Sequence, residues 1–197
     1  MSFRLGLTGS IGMGKSTTAQ IFEDFGCAIW DADAAVHRLY GPGGAAVASL
    51  AELFPDALVN GAVSRDVLKR YIEQDRSSLR KIEAIVHPLV RDDRDAFAKS
   101  NLASIIVFDI PLLFETGAES EFDAVACVRV SDDVQKSRVM ARGTMTEAQF
   151  KMIRDKQMPM FEKCDRADFI IETDTLDHAR AQVKDIVQKI KGWRKHA

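Results

Sequence analysis

Short runs of apolar residues alternate along the chain with longer stretches in which apolar residues recur every three or four positions. The short runs suit strands that are covered on both faces of a parallel sheet. The longer stretches have the spacing of amphipathic helices. The alternation predicts a doubly wound α/β sheet, in which ligands bind beyond the carboxyl ends of the strands. The predicted strands cover residues 3–7, 28–30, 105–108, 124–130 and 169–171.

A glycine-rich segment follows the first predicted strand. Residues 9–16 read Gly-Ser-Ile-Gly-Met-Gly-Lys-Ser and fit the P-loop pattern G-x-x-x-x-G-K-[ST]. Its glycines allow backbone N–H groups to turn toward phosphate oxygens. Lys15 supplies charge for the β and γ phosphates, and Ser16 can offer its hydroxyl to Mg²⁺. The segment therefore predicts a site for a nucleoside triphosphate.

The context of this segment supports the same interpretation. An amphipathic helix is predicted directly after it, and its N-terminus favours bound anions. A glycine-rich turn that binds nothing is the alternative, but such a turn seldom lies between a strand and a helix. The helix is predicted from Thr18, Ile21, Phe22 and Phe25, which share one face, and from Gly26, which is placed to end it.

Acidic residues follow two of the predicted strands. Asp31 and Asp33 come after the second strand, and their carboxylates share a face if the extended geometry persists. Asp109 comes after the third strand, where an acid beside a P-loop organises magnesium or its water shell. The alternatives are that Asp33 caps a helix over residues 34–40 and that Asp109 forms a turn.

Composition narrows the class of protein only modestly. The chain has 197 residues, 46% of them apolar, and a formal charge of −2, which implies no broad attraction to nucleic acid or to a membrane. Its length suits one α/β domain with insertions. Cys27, Cys127 and Cys164 are odd in number and far apart, which argues against a disulfide framework or a zinc site. With no signal-peptide pattern and no apolar run of membrane length, we expect a cytoplasmic protein.

A series of short motifs gives the chain a family resemblance. In order they are residues 6–17, Asp31-Ala32-Asp33, Pro42-Gly43, His87-Pro88-Leu89-Val90, residues 109–115, and residues 157–168 with Gln157, Lys163 and Asp168. In this ordered combination the chain resembles the dephospho-CoA kinases. The resemblance implies a P-loop kinase fold with a core (residues 1–42, 101–135 and 166–197), a helical substrate-binding insertion (residues 43–100) and a helical lid (residues 136–165).

The resemblance also implies an activity. It is transfer of the γ-phosphoryl group of ATP to the 3′-hydroxyl of the ribose of dephospho-CoA, giving CoA and ADP in the last step of coenzyme A synthesis. The implied cofactors are ATP and Mg²⁺, and dephospho-CoA is the implied small-molecule partner. We expect no nucleic-acid or membrane partner, and a monomer or a weak homo-oligomer.

The insertion and the lid carry further candidate residues. Helical patterns in the insertion include Val67, Leu68, Tyr71 and Ile72, and the His87-Pro88 pair predicts a helix end or a kink. His87 either is structural or touches substrate. In the lid, Arg138 and Arg142 are four residues apart in a helix that begins near Asp132, so they project from one face. They either close on the triphosphate or form a solvated basic face.

We hypothesise that Asp33 holds and partly deprotonates the ribose hydroxyl, while Lys15 and Arg142 stabilise the transferring phosphoryl group. These three are the candidate catalytic residues. The candidate metal-binding residues are Ser16 and Asp109. The candidate substrate-binding residues are Asp31, Asp33, His87 and Leu112. The candidate nucleotide-binding residues are Gly9, Gly12, Met13, Gly14, Lys15, Ser16, Thr17, Arg138 and Arg142.

Two other classes of protein remain open from the sequence. One is another P-loop kinase that acts on a nucleoside or a nucleoside monophosphate, and the other is a nucleotide-dependent switch. A GTPase switch usually carries an N-K-x-D motif, which this chain lacks. The chain also departs from the resemblance, since Glu172-Thr173 replaces a common Asp-Asn pair. A C-terminal amphipathic helix is predicted from Ala179, Val183, Ile186, Val187 and Ile190, with a solvated basic end at Lys189, Lys191, Arg194 and Lys195.

Overall fold

The five predicted strands are all present. The computed structural model describes residues 2–193, so Met1 and residues 194–197, which include Arg194 and Lys195, lie outside the described residues. The strands are β1 (Phe3–Thr8), β2 (Ala28–Asp31), β3 (Leu58–Val59), β4 (Ala62–Val63), β5 (Ile105–Asp109), β6 (Ala124–Arg129) and β7 (Phe169–Glu172). Five of them form one sheet in the order β2-β5-β1-β6-β7, with β1 at its centre.

The sheet order explains where a ligand can bind. Strand β1 pairs in parallel with β5 on one side and with β6 on the other, and β6 pairs in parallel with β7. Strand connections therefore leave β1 in both directions, which opens a crevice beyond its carboxyl end. Leu7, near that end, lies opposite Asp109 of β5 and Ala126 of β6. The doubly wound α/β fold is confirmed.

Helices cover the sheet and fill the rest of the chain. Short 3₁₀ segments occupy Pro55–Ala57 and Glu119–Glu121. The helices are α1 (Lys15–Asp24), α2 (Ala32–Tyr40), α3 (Val47–Leu53), α4 (Arg65–Gln74), α5 (Ser77–Ser100), α6 (Asp132–Ala141), α7 (Glu147–Lys156), α8 (Met160–Arg166) and α9 (Leu176–Trp193).

The chain divides into two compact units, Met1–Trp30 with Asn101–Ala197, and Asp31–Ser100. In the first unit, Leu5 and Leu7 lie in a core shared with helices α1 and α9. The predicted faces of these helices are buried except at Phe25, which follows α1 and is partly buried. The opposite face of β1 approaches the segment after β5, because a Cβ on Gly6 would lie 2.7 Å from Leu113. The second unit has a separate core built from helices α2 to α5 and the hairpin.

A hairpin interrupts the region for which the pattern predicts only helices, so that prediction is wrong for residues 58–63. Strands β3 and β4 pair antiparallel across Asn60 and Gly61, whose φ values of 51° and 78° are both positive. Two-residue strands are too short to show an alternating pattern. The Asn-Gly dipeptide, which favours the type I′ hairpin turn, is the signal that identifies this hairpin in the sequence.

Helix α5 does not end at the predicted place. It runs from Ser77 to Ser100 with Pro88 inside it, so of the two predicted alternatives at His87-Pro88 the helix end is wrong, and the kink stays a prediction. Proline removes one backbone hydrogen bond, and its ring crowds the carbonyl four residues earlier, so a helix that continues through it depends on tertiary packing. The packing is present, because Ile82 and Val86 lie in the core of this unit. His87 itself is exposed on α5.

The two carboxylates after β2 do not share a face. The extended geometry ends at Asp31, whose Oδ1 accepts a hydrogen bond of 2.8 Å from the Ala34 N–H and so caps α2. Asp33 therefore lies in the first helical turn, about 200° around the helix axis from Asp31. The capping role that was an alternative for Asp33 belongs to Asp31.

The three cysteines are buried, free thiols. Burial raises the pKa of Cys27 to about 11, against a smaller lowering by Lys191. Burial also raises the pKa of Cys127, with the neighbouring Cys164 adding to the effect. Among the described residues, no helix combines the length and the apolar character that crossing a membrane requires.

Candidate active site

The loop between β1 and α1 is held tightly against the sheet and the helices behind it. A Cβ on Gly9 would lie 2.3 Å from a methyl carbon of Val128. A Cβ on Gly12 would lie 2.5 Å from a methyl carbon of Val139, and one on Gly14 would lie 3.1 Å from Thr173. Gly12 and Gly14 also have positive φ, 78° and 87°, which disfavours any L side chain. The glycines are required by packing as well as by the phosphates they are expected to bind.

Lys15 and Asp109 are in direct contact at the end of β1 and β5. The Lys15 ammonium is bonded to Oδ1 of Asp109, whose side chain is only 2% exposed. Ser16 follows in the first turn of α1 and is exposed. No side chain caps the N-terminus of α1, so its first N–H groups remain available for an anion. Asp109 is the last residue of β5 and thus does not form a turn.

A cavity of about 220 Å³ lies beside the start of α1. It brings the predicted Arg138 and Arg142 together with Thr17 of the nucleotide site. Arg138 donates to the carbonyl of Thr173 at 2.5 Å and to its hydroxyl at 3.2 Å, whereas Arg142 is an exposed residue directly after α6. The lining residues are Gly14, Thr17, Thr18, Arg138, Arg142, Thr173, Thr175, Leu176 and Ala179.

Thr173 is a residue of this site that sequence reasoning left out. Its hydroxyl donates to the Met13 carbonyl at 2.7 Å, and it follows β7 directly. Its position after a strand is the signal that marks it, since ligands collect at the carboxyl ends of parallel strands. The Met13 side chain, by contrast, is 2% exposed and packs in the core, so it does not line the cavity.

The remaining candidate residues are divided between the two compact units. Asp31, Asp33 and His87 belong to the unit Asp31–Ser100, where Asp33 and His87 are exposed. Leu112 belongs to the other unit and is 44% exposed in the turn after β5.

The donor set fits a magnesium ion that is held mainly by phosphates and water. Among the described residues, no three acidic, histidine or cysteine side chains form a metal-binding cluster. Mg²⁺ commonly takes one or two protein oxygens and completes its shell with phosphate oxygens and water. Ser16 offers a hydroxyl and Asp109 a carboxylate, both oxygen donors beside the P-loop.

A buried ion pair anchors the segment that follows α7. The Lys163 side chain is fully buried, and its Nζ lies 2.8 Å from Oε1 of Glu115 and 3.4 Å from the Pro111 carbonyl. Glu115 also accepts from the Met158 N–H at 2.9 Å. Burial raises the pKa of Glu115, but the hydrogen bonds from Lys163 and Met158 and the charge of Lys163 outweigh it, so that pKa lies below its usual value. The pair joins the turn after Asp109 to helix α8.

The central parallel strand, the glycine loop at its end and the helix that starts at Lys15 have the arrangement of P-loop proteins. Comparison with known proteins then gives the particular family. A family model described as "Dephospho-CoA kinase" matches residues 3–178. The chain belongs to the dephospho-CoA kinase family.

Relatives and solved structures agree with this assignment. A dephospho-CoA kinase of Ruegeria pomeroyi is 68% identical over 197 residues, covering 100% of both chains, and one of Cereibacter sphaeroides is 53% identical over 189 residues, covering 96% of both. A crystal structure from Thermus thermophilus matches with a TM-score of 0.86 and 31% identity, covering 95% of this chain and 97% of that one. The structure of a dephospho-CoA kinase from Campylobacter jejuni matches with a TM-score of 0.72 and 25% identity, covering 98% of this chain and 99% of that one.

Gly12→Ala is expected to weaken nucleotide binding, because the added methyl group meets Val139 and displaces the loop. Ångström-scale displacement has large effects at such sites, and we expect affinity to fall about tenfold or more. Gly26→Ala is the matched control, since Gly26 has a similar φ of 82° but open space around its Cβ position. Both variants should lose about 1–2 kcal/mol of stability from the left-handed backbone. Calorimetric titration with ADP and urea unfolding measure the two effects, and equal affinities in the two variants would contradict the packing argument.

Lys163→Met is expected to lower the free energy of unfolding by about 3 kcal/mol, because it leaves the Glu115 charge without its partner. Lys163→Met combined with Glu115→Gln should recover most of this loss, since the charge is gone and the amide oxygen still accepts from Met158. Urea unfolding of the two variants makes the comparison. If the double variant is no more stable than the single one, the ion pair does not have this role.

Proposed function

We propose that this protein phosphorylates dephospho-CoA, transferring the γ-phosphoryl group of ATP to the ribose 3′-hydroxyl and giving CoA and ADP. The observation that carries the proposal is the family match over residues 3–178 in a chain whose P-loop glycines, Lys15 and Ser16 are intact. The reaction is the final step of coenzyme A synthesis. Cytoplasmic location and a monomeric or weakly oligomeric state stay predictions from the sequence.

The nucleotide half of the site has a place for each part of ATP. The triphosphate lies along Gly9, Gly12 and Gly14, where backbone N–H groups and the start of α1 favour phosphate. The base occupies the 220 Å³ cavity, with Arg138 as a wall that Thr173 holds in place. Bound Mg²⁺, with Ser16 and Asp109 as its protein oxygens, would neutralise charge on the β and γ phosphates.

Lys15 and Arg142 carry the positive charge for the transfer step. Phosphoryl transfer spreads negative charge over the γ-phosphoryl oxygens, and fixed cations stabilise that charge more in the transition state than in the ground state. Asp109 at the end of β5 bonds the Lys15 ammonium at the start of α1. Arg142 is placed on the cavity wall at the end of α6, next to Gly143 with its φ of 64°.

Asp33 is the proposed base for the acceptor hydroxyl. Of the two acids after β2, Asp31 is committed to capping α2, whereas Asp33 presents an exposed carboxylate on the first turn. A carboxylate in that position can accept the hydroxyl proton as the oxygen attacks phosphorus. His87 and Leu112 complete the proposed acceptor contacts, and both side chains are accessible.

The activity is tested by ADP release from the purified protein with ATP, Mg²⁺ and dephospho-CoA, with CoA identified by mass spectrometry. We expect turnover with dephospho-CoA and loss of turnover when EDTA removes the metal. Adenosine, AMP and CMP serve as competing acceptors. Turnover with a monophosphate and none with dephospho-CoA would assign the protein to the nucleoside monophosphate kinases instead.

Asp33→Asn is expected to lower kcat by about 10²- to 10⁴-fold, the usual contribution of a general base, while both substrates still bind. Asp31→Asn is the comparison variant, because asparagine caps a helix as well as aspartate does. The kcat of Asp31→Asn should fall much less than that of Asp33→Asn. Steady-state kinetics with dephospho-CoA decide the question, and full turnover by Asp33→Asn would remove Asp33 from the mechanism.

A further inference from the structure

Both backbone groups of Ile11, inside the P-loop, are bonded to glutamine side chains. Its carbonyl accepts from Nε2 of Gln135 at 2.7 Å, and its N–H donates to Oε1 of Gln157 at 3.2 Å. Gln135 is 1% exposed on α6, and Gln157 directly follows α7. Two residues that are distant in sequence therefore bind the two sides of one loop residue.

The carbonyl of Ile11 belongs to the central peptide of a turn. The Met13 N–H donates to the Ser10 carbonyl at 3.2 Å, which closes a four-residue turn with Ile11 and Gly12 in the middle. Gly12 has a φ of 78°, and Ile11 is not among the residues with positive φ, which is the combination of a type II turn. Type I and type II turns differ mainly by a flip of this central peptide. The hydrogen bond from Gln135 therefore favours one of two orientations.

That orientation decides where one N–H group points. In a planar trans peptide the C=O and N–H bonds point in opposite directions. Because Gln135 holds the Ile11 carbonyl, the Gly12 N–H points away from the Gln135 side chain. A flipped peptide would turn this donor toward α6, where a nucleotide cannot reach it. The Ile11 N–H is already used by Gln157, which fixes the peptide on the other side of Ile11.

We propose that Gln135 and Gln157 are positioning residues for the nucleotide, which hold the two peptides on either side of Ile11 so that the Gly12 N–H faces the phosphates. The proposal rests on the proposed function in that the ligand is a nucleoside triphosphate. The two glutamines also bracket the segment with Arg138 and Arg142, so both ends of that segment are tied to the phosphate loop. The segment that carries the two arginines is thereby attached to the phosphate loop at both of its ends.

Two isosteric substitutions distinguish the effect of losing a hydrogen bond from the effect of adding a negative charge. Gln135→Glu replaces the donor by an oxygen that faces the Ile11 carbonyl, whereas Gln157→Glu keeps an acceptor for the Ile11 N–H. Each adds one negative charge beside the loop. Gln157→Met removes the acceptor without adding charge. Because Gln135 is buried and its variants can fail to fold, the two Gln157 variants test the proposal on their own.

Affinity is measured by calorimetric titration with ADP and with a non-hydrolysable ATP analogue, which needs no acceptor. A failure to phosphorylate dephospho-CoA is thus distinguishable from a failure of this proposal. We expect Gln135→Glu and Gln157→Met to weaken nucleotide binding about three- to tenfold, the value of one hydrogen bond. Gln157→Glu should lie closer to the wild-type protein than Gln157→Met does. Wild-type affinity in Gln157→Met, or equal losses in the two Gln157 variants, overturns the proposal.

Steady-state kinetics add a measurement that a merely structural role would not change. Loss of a contact made equally in the ground state and the transition state raises the KM for ATP and leaves kcat nearly constant. A partly unfolded variant instead loses kcat in proportion to its inactive fraction and keeps its KM. We expect the KM for ATP to rise in Gln157→Met while the KM for dephospho-CoA stays constant. A fall in kcat with no change in the KM for ATP contradicts the positioning role.

Discussion

The close packing behind the phosphate loop is the constraint on which the rest of the structure depends. Val128 of β6 and Val139 of α6 leave no room for a Cβ at Gly9 and Gly12, and Thr173 after β7 leaves only a tight fit at Gly14. The shape of the loop is therefore set by strands and helices on several sides. A site that is formed before its ligand arrives avoids the cost of ordering it on binding. The glycines are thus needed for the loop to pack against the rest of the protein as well as for it to bind phosphates.

Polar contacts fix the residues around the phosphate loop, as close packing fixes the loop itself. Lys15 meets Asp109 at the end of β5, and the turn that follows Asp109 is bonded through Glu115 to the buried Lys163. A buried ammonium is strongly destabilising without a charged partner. Helix α8 can therefore bury Lys163 only while the turn after β5 presents Glu115. This mutual requirement holds the turn after β5 and helix α8 in one arrangement.

Local sequence patterns predicted the strands, helices and loop that are determined by residues close together in the sequence. The five sheet strands are continuous apolar runs, the apolar face of α9 has helical spacing, and the P-loop is a contiguous motif. Failures arose where another contact decides the outcome. Tertiary packing carries α5 through Pro88, and Asp31 rather than Asp33 caps α2 because the helix begins at Ala32, two residues before its predicted start at residue 34. Thr173 and Gln157 contact the P-loop from 160 and 146 residues away, a distance at which no periodicity gives a signal.

Helix α7 differs from α9 in how little of it is buried. Phe150 is its one buried residue, whereas α9 buries Ala179, Val183, Ile186, Val187 and Ile190. Segments with few buried apolar contacts open locally at a free energy well below that of global unfolding. A ligand that binds only when α7 is folded has its apparent affinity lowered by the fraction of molecules in which α7 is folded. If ATP is such a ligand, its dissociation constant reports the local folding equilibrium of this helix together with the contacts made by the phosphates.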